Sequence, residues 1–253
     1  MSSRADLRGS WLTSTPIAHR GLHDLAAGRP ENSLAAFERS CAMRFPIELD
    51  VRLSRDGNVV VFHDRTLARL TGARGRVEDT DAGELTAMPL LGTRERMPLL
   101  ADALALVAGR VPLLIELKSP GLSPGLERCV LEALDDYGGD VAIQSFTRRS
   151  VWRLNRFEAT HAVGHLSRRR PMPAVVRPAF YGCQVEGLPS RAVARRRDTG
   201  CVVLGWTVRS REQASEALRH VDNVIFEGFV PEAPAVGGGP HVSAPARPPG
   251  ASP

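Results

Sequence analysis

Lysine is almost absent from this chain of 253 residues: of its 33 basic residues, only Lys118 is a lysine and all the others are arginines. The planar guanidinium of arginine cannot replace a compact ammonium at every site, so this exception marks Lys118 as a candidate functional residue. Aromatic residues are also scarce, at 5%. Because no basic segment is interleaved with aromatics, the sequence argues against nucleic-acid binding despite a formal charge of +5.

Paired cysteines and long apolar runs are lacking as well. The cysteines form no CxxC pair, which argues against a zinc ribbon or a disulfide scaffold and favours a reducing compartment. No segment approaches the roughly 18 consecutive apolar residues of a membrane span, and the N-terminus lacks the apolar core of a signal peptide. We therefore expect a cytoplasmic protein without stable membrane insertion.

Composition divides the chain into three parts. Residues 231–253 contain seven Pro and four Gly but no Leu, Ile or aromatic residue, a composition that predicts disorder because it cannot bury a core. Residues 13–230 have no comparable linker and predict one domain. Residues 1–12 are interpreted as an N-terminal extension.

Short apolar runs alternate with segments of helical period, which predicts an α/β fold. The runs predict eight strands, at residues 16–18, 47–53, 111–117, 141–146, 161–166, 180–185, 201–208 and 223–226. The clearest helical segments are residues 33–43, 99–107, 126–134 and 211–219. This alternation favours a TIM-type (β/α)8 barrel, although a doubly wound sheet has the same periodicity.

A strong turn signal, Asp56-Gly57, follows the second predicted strand. It predicts a small hairpin-containing insertion after strand 2. The returning arm of this hairpin would bring His63 close to Glu48 and Asp50.

Acidic residues repeat at alternate positions near the ends of two predicted strands. Glu48 and Asp50 share one strand face, and Glu116 and Lys118 repeat that spacing on the next strand. The C-terminal ends of barrel strands converge on one open face, where three carboxylates would repel each other unless a cation held them. Oxygen ligands favour a divalent metal ion, Mg²⁺ or Ca²⁺, over zinc. We expect this metal site at Glu48, Asp50 and Glu116; the alternative is that they are solvated strand-end charges.

Two histidines follow apolar runs, His19 in IAHRG and His63 in VVVFHD. Imidazoles titrate near neutral pH and are suited to an acid/base pair that protonates a leaving alkoxide and activates a nucleophile. The remaining histidines are interpreted as structural; they are His23, His161, His165, His220 and His241.

Cationic and aromatic residues complete the candidate site. Arg20 and Lys118 would face the carboxylates and bind an anionic, phosphate-bearing substrate. Trp206, at the end of the seventh barrel strand, is either a core residue or a wall of the substrate pocket. The other arginine runs, at residues 148–149, 168–170 and 195–197, are interpreted as solvated faces.

Several motifs resemble the glycerophosphodiester phosphodiesterase family. They are HRG at 19–21, PENSLAAF at 30–37, ELDVRLSRDGNVVVFHDRTLARLTG at 48–72 and LLIELK at 113–118. The resemblance implies a TIM-type barrel that hydrolyses glycerophosphodiesters to glycerol 3-phosphate and an alcohol. It implies catalytic roles for His19 and His63, and metal binding by the carboxylates matching Glu48, Asp50 and Glu116.

The resemblance also implies that Arg20 and Lys118 contact the phosphate, and that Glu31 supports Arg20 or the metal. Two departures stand out: WTVR ending at Arg209 replaces the common WTVN, and IFEG containing Glu227 replaces ITD. We assign both departures to the substrate side, where they would affect the alcohol head group.

Two other functions remain open at this point. One is a lysophospholipase D-like phosphodiesterase acting on lysophospholipids, and the other is a catalytically silent phosphate-binding protein. The intact set of histidines and carboxylates argues against the silent protein.

Overall fold

The computed structural model describes residues 7–119, 125–157, 159–168 and 178–231. Residues 231–253 are predicted to be disordered, and all of them except residue 231 lie outside the described ranges. Residues 1–6 of the predicted N-terminal extension also lie outside them. The described helices include none that is both long and apolar enough to cross a membrane.

The strands form a closed barrel with one extra antiparallel strand. In the described ranges they are β1 (Ile17–His19), β2 (Ile47–Leu53), β3 (Val59–Val61), β4 (Leu113–Leu117), β5 (Val141–Ser145), β6 (Ala162–Ser167), β7 (Phe180–Gln184), β8 (Val202–Val208) and β9 (Asn223–Phe226). The order is β1-β9-β8-β7-β6-β5-β4-β2-β3, and a parallel β1–β2 pairing closes the ring. Because β1 pairs with both β2 and β9, the sheet has no open edge at β1, and the prediction of a TIM-type barrel is confirmed over the doubly wound alternative.

Helices lie between most of the strands. They are α1 (Trp11–Ser14), α2 (Leu34–Ala42), α3 (Ala68–Thr71), α4 (Ala82–Ala87), α5 (Leu100–Val107), α6 (Gly125–Leu134), α7 (Arg148–Arg156), α8 (Arg191–Asp198) and α9 (Arg211–Leu218). The four predicted helices match α2, α5, α6 and α9 within one residue at each end. Ser33 caps α2 by accepting a hydrogen bond from the Ala36 amide at 3.2 Å.

Two arginine-rich helices, α7 and α8, were not among the predicted elements. Only Val193 is buried on α8, and α7 buries a narrow stripe that includes Val151 and Leu154. Arginine covers the remaining faces, so both helices contain few apolar residues that would identify them in the sequence. Nor is the 195–197 run simply solvated, because Arg197 pairs with Asp222 at 3.0 Å.

Side-chain alternation separates two apolar layers. The odd-numbered residues of β2 and β4, such as Leu49 and Ile115, face outward and pack in the large cluster that contains the helices. Inward-facing residues fill the barrel, and several of them lie two positions before a candidate site residue. Together with residues of α1 they form a second apolar cluster, made of Leu12, Ile17, Leu114, Ala142, Phe180, Val202, Leu204 and Ile225. The site therefore lies directly above a dry interior layer.

The insertion after β2 contains the predicted hairpin. Val51 pairs with Val61 in the antiparallel register, and Gly57 has a φ of 85° in the turn. The insertion continues beyond the hairpin through α3 and α4 and has its own apolar cluster, made of Val60, Phe62, Leu67, Leu70, Val77, Leu85, Leu90 and Met97. It is thus a small packed subdomain over the barrel rim.

Candidate active site

Three carboxylates converge at the C-terminal end of the barrel. Glu48 and Asp50 face inward from β2, and the register places Asp50 beside Glu116 of β4. Their side chains are buried, and one ligand oxygen from each lies within 4.8 Å of the others. The structure therefore brings together the three residues that the strand spacing predicts as a cluster.

Burial and the mutual repulsion of the carboxylates disfavour the charged forms of Glu48 and Glu116. Burial raises the pKa of Glu48 well above its usual value, and the charges of Asp50 and Glu116 add to this shift. Burial also raises the pKa of Glu116 to about 7, against the opposing effect of Lys118. For Asp50 the balance is reversed, because Lys118 and Arg20 outweigh burial and hold its pKa below the usual range.

The donor set fits a divalent metal ion. All three groups offer carboxylate oxygens, the ligands that hard cations prefer. Apart from the Lys118 ammonium, no hydrogen-bond donor in the described part of the chain reaches Asp50 Oδ1 or Glu116 Oε1, which are both buried. These inner oxygens retain lone pairs that a cation could use.

Arg20 joins the carboxylate cluster to the loop after β1. Its amide donates to Glu48 Oε2 at 3.1 Å, and its Nε lies 3.3 Å from Asp50 Oδ2. Its Nη1 donates to Glu31 Oε1 at 2.6 Å. Glu31 therefore contacts Arg20 directly, and its role in supporting Arg20 or the metal stays a prediction.

Asn32 is a site residue that the sequence interpretation missed. Its Nδ2 donates to Asp50 Oδ2 at 2.8 Å, and its Oδ1 accepts from the Asp50 amide at 3.2 Å. Asn32 is buried and has a φ of 57°, which asparagine tolerates better than most residues. Its position in the PEN motif beside Glu31 was the available signal.

His63 comes from the returning arm of the hairpin, as predicted. Its Nδ1 lies 2.6 Å from Asp64 Oδ1, and Asp64 accepts a hydrogen bond from Arg69 Nε at 2.6 Å. Arg69 also donates to both oxygens of Glu31, at 2.7 and 2.8 Å. Burial lowers the pKa of His63 despite the opposing charge of Asp50.

Arg52 fixes the backbone on both sides of the cluster and was not predicted. Its Nε and Nη2 donate to the His63 carbonyl at 3.0 and 2.7 Å, and its Nη1 donates to the Lys118 carbonyl at 3.2 Å. Arg52 lies on the same strand face as Glu48 and Asp50, so the alternation that singled out those carboxylates was also the available signal for Arg52.

His19 lies at the end of β1 and faces both the cluster and β9. Its Nδ1 is 2.5 Å from Glu227 Oε2, and its Nε2 is 4.0 Å from Glu48 Oε2. Burial lowers the pKa of His19, although the hydrogen bond to Glu227 acts in the opposite direction. Glu227 in turn pairs with Arg209 Nη2 at 2.7 Å. The two motif departures, Glu227 and Arg209, therefore contact each other beside His19, and their effect on the alcohol head group stays a prediction.

Aromatic side chains line the opposite side of the barrel mouth. Trp206 packs edge-on against Phe146, with ring centroids 5.3 Å apart, and Lys118 Nζ lies 5.9 Å from the Phe146 ring centre. Next to them is a cavity of about 560 Å³ that His63, Lys118, Phe146 and Arg168 help to line. Trp206 is half-buried, and its Nε1 has no hydrogen-bond partner among the described residues, so it borders both the core and the mouth.

The other histidines of the described residues do not reach the carboxylate cluster, although His23 approaches the same glutamate, Glu227, as His19. His23 is nearest, with Nε2 3.9 Å from Glu227 Oε2. His165 is buried against Tyr181, and His220 pairs with Glu216 on α9. His161 is half-buried beside β6, and His241 lies outside the described residues.

Residues 19–227 match the model of the glycerophosphoryl diester phosphodiesterase family. The chain belongs to this family. A glycerophosphodiester phosphodiesterase of Caldanaerobacter subterraneus is 30% identical over 230 residues, which cover 83% of this chain and 93% of that protein.

Solved structures share the barrel. The Thermotoga maritima glycerophosphodiester phosphodiesterase is 25% identical, covers 84% of this chain and 94% of its own, and has a TM-score of 0.69. An Oleispira antarctica phosphodiesterase, solved with the product sn-glycerol-3-phosphate, is 23% identical, covers 84% of this chain and 92% of its own, and has a TM-score of 0.76. Family membership and the reaction class expected from the motifs, a phosphoric diester hydrolase, are confirmed by the matches to the family model and the curated relative.

Proposed function

We propose that this protein hydrolyses small glycerophosphodiesters to glycerol 3-phosphate and an alcohol in a reaction that depends on Mg²⁺ or Ca²⁺. The observation that carries the proposal is the buried cluster of Glu48, Asp50 and Glu116, whose ligand oxygens lie within 4.8 Å of one another. His19 Nε2 lies 4.0 Å from Glu48 Oε2, and the charges of both His19 and His63 lower the pKa of Asp50, which supports a shared role for the two imidazoles at this cluster.

The three carboxylates would hold the divalent ion. When bound, such an ion supplies a Lewis acid that offsets charge on the phosphoryl oxygens. Arg20 and Lys118, which border the cluster, would bind the phosphate through a bidentate guanidinium and a point charge.

The two histidines would carry the protons. Each has its Nδ1 bound to a carboxylate, which leaves Nε2 for the substrate. One imidazole would accept the proton of the attacking hydroxyl, and the other would donate a proton to the leaving alkoxide. Attack by water and attack by a neighbouring substrate hydroxyl both fit this arrangement.

A small diester is favoured over a lysophospholipid as the substrate. The most exposed large apolar side chains of the described residues come from different segments of the chain, namely Leu25, Leu91, Trp152, Leu218 and Val230. A lipid-facing surface would instead group such side chains into one patch. The cytoplasmic location expected from the sequence stays a prediction.

The test is release of glycerol 3-phosphate from glycerophosphocholine and glycerophosphoethanolamine, with EDTA and with Mg²⁺ or Ca²⁺ added back. His19→Ala and His63→Ala should each abolish the metal-restored activity, whereas His161→Ala, at a site away from the cluster, should retain it. Turnover of lysophosphatidylcholine alone would instead support the lysophospholipase D-like function. Absence of turnover on every substrate, in a folded protein, would support the silent phosphate-binding protein.

A further inference from the structure

His63 is the last member of a series of charged contacts, and the other two members, Asp64 and Arg69, come from the same short segment of the sequence. Its Nδ1 lies 2.6 Å from Asp64 Oδ1, and Arg69 donates to both oxygens of Asp64, at 2.6 Å from Nε and 3.0 Å from Nη2. The imidazole, the carboxylate and the guanidinium are therefore linked in series, and Nε2 is the ring nitrogen left for the substrate.

His19 has the same arrangement, built from three distant parts of the chain. Its Nδ1 lies 2.5 Å from Glu227 Oε2, and the other oxygen of Glu227 is 2.7 Å from Arg209 Nη2. His19 ends β1, Arg209 follows β8, and Glu227 follows β9. Barrel closure, which pairs β1 with β9 and β9 with β8, brings the three side chains together.

We propose that Glu227 is a positioning residue for His19, and that Arg209 holds Glu227 in the orientation this requires. The inference rests on the proposed function in giving His19 a proton-transfer role. It adds two residues to the machinery of the reaction.

A neutral imidazole carries one N–H, and the nitrogen that bears it decides which nitrogen can accept a proton. With Nδ1–H donated to Glu227, Nε2 carries the lone pair, and this nitrogen lies 4.0 Å from Glu48 Oε2 on the cluster side. A carboxylate on Nδ1 also stabilises the imidazolium that forms when Nε2 takes up a proton. Without Glu227 the ring could rotate or adopt the other tautomer.

Arg209 restricts the Glu227 carboxylate from the opposite side. Its own backbone amide donates to Gln213 Oε1 at 2.7 Å, and its Nη1 donates to the Thr207 carbonyl at 3.3 Å. Because Glu227 is held at both oxygens, the carboxylate has one orientation, and the pKa of Glu227 stays far below its usual range despite partial burial.

The length of the Glu227 side chain matters for this contact. An aspartate at this position would be shorter by one carbon–carbon bond of about 1.5 Å. From the same backbone position it could not keep both the His19 and the Arg209 contacts. The length of Glu227 is therefore matched to the arginine at position 209.

The first experiment is steady-state kinetics of the full chain on a glycerophosphodiester, with kcat and KM measured separately. Glu227→Ala should lower kcat by about 10²- to 10⁴-fold, as loss of the carboxylate behind a catalytic imidazole does elsewhere, while KM changes less than threefold. Arg209→Gln should lower kcat by about tenfold, in the range found for outer-shell partners. The matched control is Glu186→Gln, because Glu186 lies 3.9 Å from Arg209 and no contact links it to a histidine of the described structure; its kinetics should not change.

The second experiment reads the tautomer directly and does not depend on activity. In protein labelled with ¹⁵N-histidine, His19 should show a protonated Nδ1 and a bare Nε2, and this pattern should be lost in Glu227→Ala and weakened in Arg209→Gln. Arg209 is 59% exposed at its side chain, so its variant provides the test if Glu227→Ala does not fold.

The outcomes separate this inference from the proposed function. Unchanged kcat in Glu227→Ala, or an unchanged His19 tautomer, would overturn the positioning role even if the wild-type protein is fully active. If the wild-type protein turns over no diester, the proposed function fails, and the tautomer measurement still decides whether Glu227 orients His19.

Discussion

Lys118 Nζ lies 2.5 Å from Glu116 Oε1, two residues earlier in the chain, and 3.0 Å from Asp50 Oδ1 on the neighbouring strand. The single lysine of the chain is therefore an almost buried cation between two carboxylates. Burial opposes its charge, but Asp50 and Glu116 outweigh burial and raise the pKa of Lys118. A compact ammonium fits between these oxygens, and a broad planar guanidinium does not.

We expect both Lys118→Met and Lys118→Arg to lower kcat/KM by about 10²- to 10³-fold, the range for removing one preorganised charged donor. The matched control is Arg110→Lys, in an exposed pair with Glu38, which should leave kinetics unchanged. Full activity of Lys118→Arg would show that any cation suffices at this position.

Asn32 should contribute to stability through Asp50. Asn32→Gly removes both hydrogen bonds to Asp50 but tolerates the φ of 57°, so we expect a loss of about 1–3 kcal/mol in the free energy of unfolding. Asn32→Ala should lose about 1 kcal/mol more, because alanine is strained in the left-handed region. Urea unfolding measures both. The exposed Asn58→Ala should change stability by less than about 0.5 kcal/mol, and equal losses for the Gly and Ala variants would contradict the backbone argument.

Arg69 should affect activity more than stability. It bridges Asp64, which contacts His63, and Glu31, which contacts Arg20. Arg69→Ala should lower kcat about tenfold or more, since outer-shell partners commonly contribute this much, while thermal unfolding shifts little because the side chain is half-exposed.

Arg55→Ala is the matched control for Arg69. Arg55 pairs with Asp81 on the same insertion and is similarly exposed, but neither residue lines the cavity beside His63 or pairs with a site histidine through its side chain. Its kinetics should match the wild-type protein. Equal losses in the two variants would indicate a general effect of charge rather than the Asp64 contact.

Gly164 is the position where a methyl group should be most damaging to the barrel. A Cβ there would lie 2.2 Å from ring atoms of the buried Phe180, so overpacking should cost about 3 kcal/mol and lower Tm by roughly 6–12 °C for a domain of this size. Gly83→Ala, on α4 with open space around it, should leave Tm unchanged or slightly raised. Calorimetry distinguishes them, and a Gly164→Ala protein with wild-type Tm would contradict the packing argument.

Local periodicity predicted much of the fold. Strand alternation placed Glu48 and Asp50 on one face, and the Asp56-Gly57 turn brought His63 back toward them, since both features depend only on residues near in sequence. The short buried runs likewise located the barrel strands to within two residues at each end. Helices α7 and α8 were missed because arginine covers most of their surfaces.

The sequence by itself determined which chemical groups are available: three carboxylates at strand ends, two histidines after apolar runs, and one lysine among many arginines. Tertiary structure decided how those groups are partnered. The contact between His19 and Glu227 joins residues 208 positions apart, and it exists because β1 and β9 meet when the barrel closes. No pattern within one strand encodes that meeting, since it depends on the register of every strand in the ring.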